Sequence, residues 1–215
     1  MAGGGRYRER YRIRHTAWHD RTVATAILRL LLLVAALAMQ PPPATAATVR
    51  YDLDGNASRV GFVVRFGPDS ITGVLPVLGA KLALDADTPR NSRVHVVLDT
   101  TRARASFPFA TRELRGPRVL HSARHPTLEF ATTELRADGR MARVHGLLTI
   151  RGITRPITLQ AQIYRPAGTA PGDLSLLTVH LWGVVRRSEF GADGWAGMVG
   201  DEVHLDIRVT MRRVE

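Results

Sequence analysis

From about residue 49 onward, apolar side chains fall at every second position along much of the chain. Val60, Phe62, Val64 and Phe66 alternate with Gly61, Val63 and Arg65. Leu82 and Leu84, then Val94, Val96 and Leu98, then Leu128 and Phe130 repeat the same period of two, the signature of strands with one buried face. Leu148 and Ile150 alternate with Thr149 and Arg151; Gly152-Ile-Thr-Arg-Pro156 breaks the run, and Ile157, Leu159, Ala161 and Ile163 resume it. A further strand follows through Leu174, Leu176, Thr178, His180, Trp182 and Val184. The last is the most regular, with Val203, Leu205, Ile207 and Val209 opposed by Glu202, His204, Asp206 and Arg208. Asp54-Gly-Asn56, Asp85 to Pro89, Ala137-Asp-Gly139, Pro166 to Asp173 and Gly191 to Gly200 supply turns between these runs.

One interval departs from the pattern. Between Thr100 and Pro126, Ala110 to Arg115 and Val119 to Arg124 predict one or two short helical turns, interrupted by Gly116-Pro117 and stopped by Pro126. Some eight strands at regular spacing predict an all-β antiparallel sandwich or barrel. Closure removes the exposed edges of an open sheet. A closed eight-stranded barrel holds either packed side chains or one small ligand.

The first 46 residues read differently. Arg6, Arg8, Arg10, Arg12, Arg14 and Arg21 precede the apolar block Leu30–Met39, and Ala44-Thr-Ala46 supplies small residues for cleavage. This predicts a secretory signal peptide behind a basic leader, cleaved after Ala46, and a periplasmic or secreted mature protein, with an uncleaved anchor as the alternative. The apolar run is shorter than the ~18 residues of a membrane span. Of the formal net charge of +11, this leader contributes seven arginines against Glu9 and Asp20, leaving 23 basic and 17 acidic residues, a net of +6. No block of five like charges occurs and Lys81 is the only lysine, so nucleic acid is not an expected partner. The chain has no cysteine, which excludes disulfides, thiol catalysis and thiolate metal sites.

No catalytic constellation is evident. Ser188 lies in Arg186-Arg-Ser-Glu-Phe-Gly191 rather than in a G-x-S-x-G elbow, and Asp85/Asp87 and Asp201/Glu202 fall where carboxylates form turns. His121 and His125 have the i, i+4 spacing of metal-ligand pairs. A third ligand would have to come from His145, His180 or His204, so no metal or other cofactor is expected. Trp182, Phe190 and Gly194-Trp195 fit either a ligand pocket or ordinary barrel core.

The strand pair Gly146–Leu159 closely resembles that of the YceI-like family, and other motifs follow in order. Tyr51-Asp-Leu-Asp54 is similar to the family's "Y-x-I-D", and Val60-Gly-Phe-Val-Val-Arg65 to "V-x-F-x-V-K", with Ile71-Thr-Gly73 matching the turn beyond. His125-Pro-Thr-Leu-Glu-Phe130 resembles "Y-P-x-I-x-F", Arg187-Ser-Glu-Phe-Gly191 "R-S-D-F-G", and Val199-Gly-Asp-Glu-Val203 "V-G-D-E-V". Each is weak alone; together they cover nearly all of Val49–Arg213. The chain departs from the family's pattern at Ala110–Leu120, where Glu113 and Arg118 are among the substitutes, Gly116-Pro117 is inserted in character, and Phe107 and Phe109 are extra aromatics.

The resemblance implies an extended, eight-stranded, lipocalin-like antiparallel barrel over residues 47–214, with a short helical segment in the 100–126 connection. It also implies an exported, non-catalytic protein that holds a polyisoprenoid or isoprenoid quinone in an apolar tunnel, for transport, storage or stress-related sequestration. Phe62, Val64, Phe66, Val96, Leu98, Phe107, Phe109, Leu120, Phe130, Leu148, Ile150, Trp182 and Phe190 are the expected tunnel residues. Gly61, Val63, Leu147 and Thr149 are expected to face outward. The partners so implied are the lipid, a membrane surface or membrane redox protein, and a second copy of the chain in a homodimer. Two alternatives stand beside this reading: an enzyme of isoprenoid or quinone chemistry using the same tunnel, and a filled barrel with a stress role and no ligand.

Overall fold

The computed structural model describes residues 48–170 and 172–214; the expected signal peptide and cleavage after Ala46 lie outside these residues. Eleven ladder segments form one antiparallel sheet: β1 (Val49–Leu53), β2 (Arg59–Phe66), β3 (Asp69–Leu75), β4 (Val77–Leu84), β5 (Arg93–Asp99), β6 (Arg104–Ala105), β7 (Thr127–Asp138), β8 (Met141–Ile150), β9 (Ile153–Tyr164), β10 (Leu176–Arg186) and β11 (Val199–Arg213). Among the described residues one α-helix, α1 (Pro108–Arg115), lies between β6 and β7.

The sheet order is β1-β4-β5-β7-β8-β9-β10-β11, and β1 also pairs with β11, so the eight strands close on themselves. β2, β3 and β6 continue this ring rather than adding to it. β11 is fifteen residues long and pairs with β1 through Met211–Arg213 and with β2 through Val199–Arg208. Likewise β1 pairs with β4 while β2 pairs with β3, and β6 adds to β3 as β5 adds to β4. Three of the eight strands are therefore broken midway. Asp54 caps the first break by accepting the Asn56 and Ala57 N–H groups. Pro76 marks the second. Asp99 organises the third, accepting from the Thr101 and Arg102 backbones.

Two expectations about local structure are corrected. Pro156 does not end a strand: the break is only the two-residue turn Arg151-Gly152, with φ of 53° and 74°, and Pro156 sits inside β9 opposite Leu147. Positive φ at both central residues is what a tight hairpin matched to sheet twist requires. A proline is tolerated there because β9 pairs with β10 only over Gln160–Tyr164, which leaves the strand one-sided at residue 156. The segment Val119–Arg124 forms turns rather than a second helix. His121 adopts φ of 50°, and the Arg151 guanidinium donates to the Pro117 and Val119 carbonyls at 2.7 and 2.8 Å.

Helix α1 starts on Pro108, whose fixed φ suits the first turn, and ends at Gly116. Ala110 and Leu114, four apart, turn toward the barrel, while Thr111 ties the helix to Ala105 through bonds to both its N–H and C=O. The helix thus covers one end of the barrel. The other end is closed by Tyr51, buried with Leu82, Leu177 and Met211, its hydroxyl donating to the Leu174 carbonyl at 2.9 Å.

Candidate functional site

Inside the ring lies a cavity of about 290 Å³ to which no polar atom is exposed. On β11 its wall runs over the nine residues from Val203 to Met211, roughly 27 Å of strand. The inward face follows directly from the pleat: Val60 and Phe62 from β2, Val94, Val96 and Leu98 from β5, Val144 and Leu148 from β8, and Leu205, Ile207 and Val209 from β11 all reach it. The bore stays open where side chains are small. Ala142 and Ala161 stand opposite each other on β8 and β9, and both line the cavity. Two glycines make room for aromatic rings: a Cβ on Gly73 would lie 2.2 Å from the Phe62 ring, and one on Gly146 would lie 2.4 Å from the Phe130 ring.

A second cavity of about 110 Å³ adjoins it under α1. Phe62, Leu114, Val119 and Arg187 border both, so these four form the partition between an inner chamber and a vestibule. Phe66 and Phe107 sit 6.3 Å apart in the vestibule wall, and Phe109 meets Trp195 edge to face at 6.0 Å.

Of the residues expected in the tunnel, Phe62, Val96, Leu98, Leu120, Phe130, Leu148, Ile150 and Phe190 border the inner chamber. Phe66, Phe107 and Phe109 border the vestibule instead. Val64 is buried in the cluster with Ile71 and Ala110 and borders neither. Trp182 is a correction. On β10 it is Leu177, Val179, Leu181 and Val185 that face the chamber, and Trp182 lies on the outer face, its ring 5.2 Å from that of His180. His180 and the β11 residue Asp206 make a 2.7 Å contact on the same face. Leu147, 42% exposed, and Thr149, hydroxyl-bonded to Thr154 at 2.8 Å, face outward as expected.

Polar groups gather at the partition. Arg187 is buried, and its guanidinium donates to the carbonyls of Gly200 (2.8 Å), Gly194 (2.7 Å), Val199 (2.9 Å) and Ala192. Burial pushes its pKa down, opposed by the carboxylates of Asp201 and Asp193. Asp201 accepts from both the backbone N–H and the hydroxyl of Ser188 at 2.9 Å, bonds that hold its carboxyl below the usual range. Ser188 therefore serves as an anchor for the turn Arg187–Phe190. Trp195 adopts a left-handed backbone, φ of 64°, and its indole N–H is buried without a partner among the described residues. Neither the burial of Arg187 nor the strain at Trp195 has a signal in hydropathy; only the Arg187–Gly191 motif marked the neighbourhood.

The remaining candidates fall apart in space or serve structure. Asp85 is buried and accepts from the N–H groups of Asp87 and Thr88, shaping the turn after β4. The His121 and His125 rings lie edge to face at 5.8 Å, and no cluster of three metal-ligating side chains occurs among the described residues.

Comparison with known proteins agrees with this architecture. A UPF0312 protein of Enterobacter sp. (strain 638) is 27% identical over 167 residues, 77% of this chain and 86% of that protein. Protein YceI of Escherichia coli O157:H7 is 26% identical over 179 residues, 83% and 93% of the two chains. Among solved structures, Burkholderia cenocepacia BcnA superposes with a TM-score of 0.66 at 18% identity, over 74% of this chain and 99% of that one. A Campylobacter jejuni YCEI protein gives 0.55 at 16% identity, over 82% and 92%. The YceI-like domain matches residues 51–211, and on that match the chain belongs to the YceI-like family.

Proposed function

We propose that the protein is a non-catalytic carrier that holds a single isoprenoid-type lipid, its chain in the inner chamber and its polar end in the vestibule. The observation that carries this reading is the chamber itself. A void of about 290 Å³, left empty, costs on the order of 7 kcal/mol at about 24 cal/mol per Å³. That is comparable to the whole stability of a typical domain. Water does not offset it, because an apolar void without hydrogen-bonding partners stays dry. An apolar chain does offset it, at about 0.8 kcal/mol per buried methylene. The volume accommodates on the order of twenty groups of methylene size, about four isoprene units.

The polar end has one obvious contact. The unpartnered Trp195 N–H at the vestibule suits a hydrogen-bond acceptor such as a quinone or amide carbonyl, and the cation of Arg187 lies in the same wall. The basic leader and its small-residue cleavage site support action outside the cytoplasm.

The test is to extract the purified protein with organic solvent and identify what is released by mass spectrometry. A prenyl-chain lipid near one equivalent is expected. A folded protein that yields no lipid, and takes none up when offered ubiquinone or menaquinone in detergent, overturns the reading.

A further inference from the structure

The charge of this barrel is distributed unequally between its two ends. At the α1 end lie the connections 67–68, 100–126, 151–152 and 187–198. They carry Arg102, Arg104, Arg112, Arg115, Arg118, Arg124, Arg151 and Arg187 against Glu113, Glu189 and Asp193, a net of +5. At the opposite end, the connections 85–92, 139–140 and 165–175 carry Arg90, Arg140 and Arg165 against Asp85, Asp87 and Asp173, a net of zero.

Both ends expose apolar side chains, Met141 and Tyr164 beside the net-neutral connections and three more at the positive end. Phe107, Phe109 and Met198 are 37%, 50% and 51% exposed, and all three rim the vestibule. The nearest arginines lie against them: the Arg112 guanidinium is 5.2 Å from the centre of the Phe109 ring, and that of Arg118 is 5.8 Å from the Trp195 ring. Among the described residues, neither Arg104 nor Arg118 has a carboxylate within ion-pair distance, and Arg112 has only Glu113, at 3.4 Å. A surface facing only water gains nothing by presenting large apolar side chains beside cations of which two lack a carboxylate partner. An interface with anionic headgroups above and hydrocarbon below satisfies both at once.

We propose that the α1 end is a docking surface for a bilayer carrying anionic lipids, with Phe107, Phe109 and Met198 inserted at headgroup depth and Arg104, Arg112 and Arg118 on the phosphates. Docking in this pose sets the vestibule against the membrane, so a lipid passes between bilayer and chamber without crossing water. The docking stands on charge and apolar exposure alone; its purpose rests on the carrier reading above.

The absence of cysteine makes the test clean. Single cysteines placed in the full-length chain as Met198→Cys and, at the opposite end, Ala167→Cys are labelled with an environment-sensitive fluorophore. They are then mixed with vesicles of phosphatidylcholine with or without phosphatidylglycerol. The label at 198 should shift to the blue and be quenched by brominated lipid in phosphatidylglycerol vesicles only, while the label at 167 stays in water. Arg104→Gln, Arg112→Gln and Arg118→Gln together should weaken this response by about 100-fold, at about 5-fold per arginine. The matching change of Arg90, Arg140 and Arg165 should not, and molar salt should suppress the response. No shift at 198, or equal shifts at both ends, overturns the proposal. So does a shift at 198 that grows with protein concentration and needs no vesicles, which would mean a second copy covers the rim. A protein that docks but releases no lipid on extraction refutes the carrier reading alone; one that carries lipid but does not dock refutes only this proposal.

Discussion

Ala161→Leu separates a hollow barrel from a filled one by giving opposite signs in two measurements. Ala161 borders the inner chamber, is 2% exposed to solvent, and stands between Ala142 on β8 and Leu181 on β10. A leucine there adds three carbons, which have the void to occupy. In protein stripped of lipid by unfolding in guanidinium and refolding, the added carbons should stabilise by about 2 kcal/mol at ~0.8 kcal/mol each. For a domain of this size that raises Tm by roughly 4–8 °C in scanning calorimetry. The same carbons take space from the cargo, so affinity for a quinone with a four-unit prenyl tail should fall by a similar ~2 kcal/mol, about 30-fold. In a tightly packed core the outcome reverses: overpacking costs typically 1–3 kcal/mol, and there is no binding to lose. A lower Tm with an unchanged lipid load would refute the reasoning.

Leu148→Asp puts a carboxylate into a chamber wall that offers it no polar partner, so the folded fraction recovered by gel filtration should extract free of lipid, with Tm lowered by a buried charge costing several kcal/mol. Trp195→Phe removes the indole N–H and keeps an aromatic ring; affinity for a quinone should fall by roughly tenfold, the worth of one hydrogen bond, while a headless prenyl hydrocarbon such as squalene binds unchanged. Equal loss for both ligands would show that the ring, and not the donor, is what matters. The carboxyl of Asp99 is held down at about 2 by the Thr101 hydroxyl and the Arg102 guanidinium, and that of Asp201 is lowered by Ser188. Because the folded values lie below the ordinary carboxylate pKa of about 4, both contributions are present above pH ~4 and weaken as pH falls below it, that of Asp99 being lost as pH falls through about 2. Asp99→Asn should flatten the slope of Tm against pH in that acid window, and an unchanged slope would remove Asp99 from the account.

What the sequence made legible depended on whether its two strand faces differ. β11 was plain because Glu202, His204, Asp206 and Arg208 oppose Val203, Leu205, Ile207 and Val209, and only one set can be inside. β10 was misread because both of its faces are apolar: Leu176, Trp182 and Val184 look as burial-prone as Leu177, Val179 and Val185, and pleat parity can be settled only by the pairing to β9 and β11. Strand breaks were hidden for another reason. Asp54, Pro76 and Asp99 each interrupt a strand without ending it: at Asp54 the long β11 pairs on both sides of the break, and at Pro76 and Asp99 each half carries on against the matching half of its neighbour. The vestibule was least legible, since it is assembled from α1, the β3–β6 edge and the Gly194–Val199 loop, which are far apart in the chain.

The two ends of the barrel fix the direction in which a lipid would lie. At one end Tyr51 is buried, its hydroxyl bonded to the Leu174 carbonyl, and burial raises its pKa, so that floor is neutral, apolar and shut. At the other, the partition of Phe62, Leu114, Val119 and Arg187 includes a helix residue and a turn residue, neither of them part of the closed ring of strands. Helix α1 is held by Thr111 to Ala105, by Arg115 to the Ala103 carbonyl at 2.7 Å, and by the Leu120 and Ser122 N–H groups on the Leu114 and Arg115 carbonyls. Displacing Leu114 and Val119 breaks local bonds, among them that of Arg151 to the Val119 carbonyl, and leaves the ring closed, whereas opening the Tyr51 end means breaking β1 from both β4 and β11 and with them the closure of the ring. A chain that enters must do so under α1, tail first, and its polar end then comes to rest where the unpartnered indole N–H, the buried guanidinium and the cationic rim already stand.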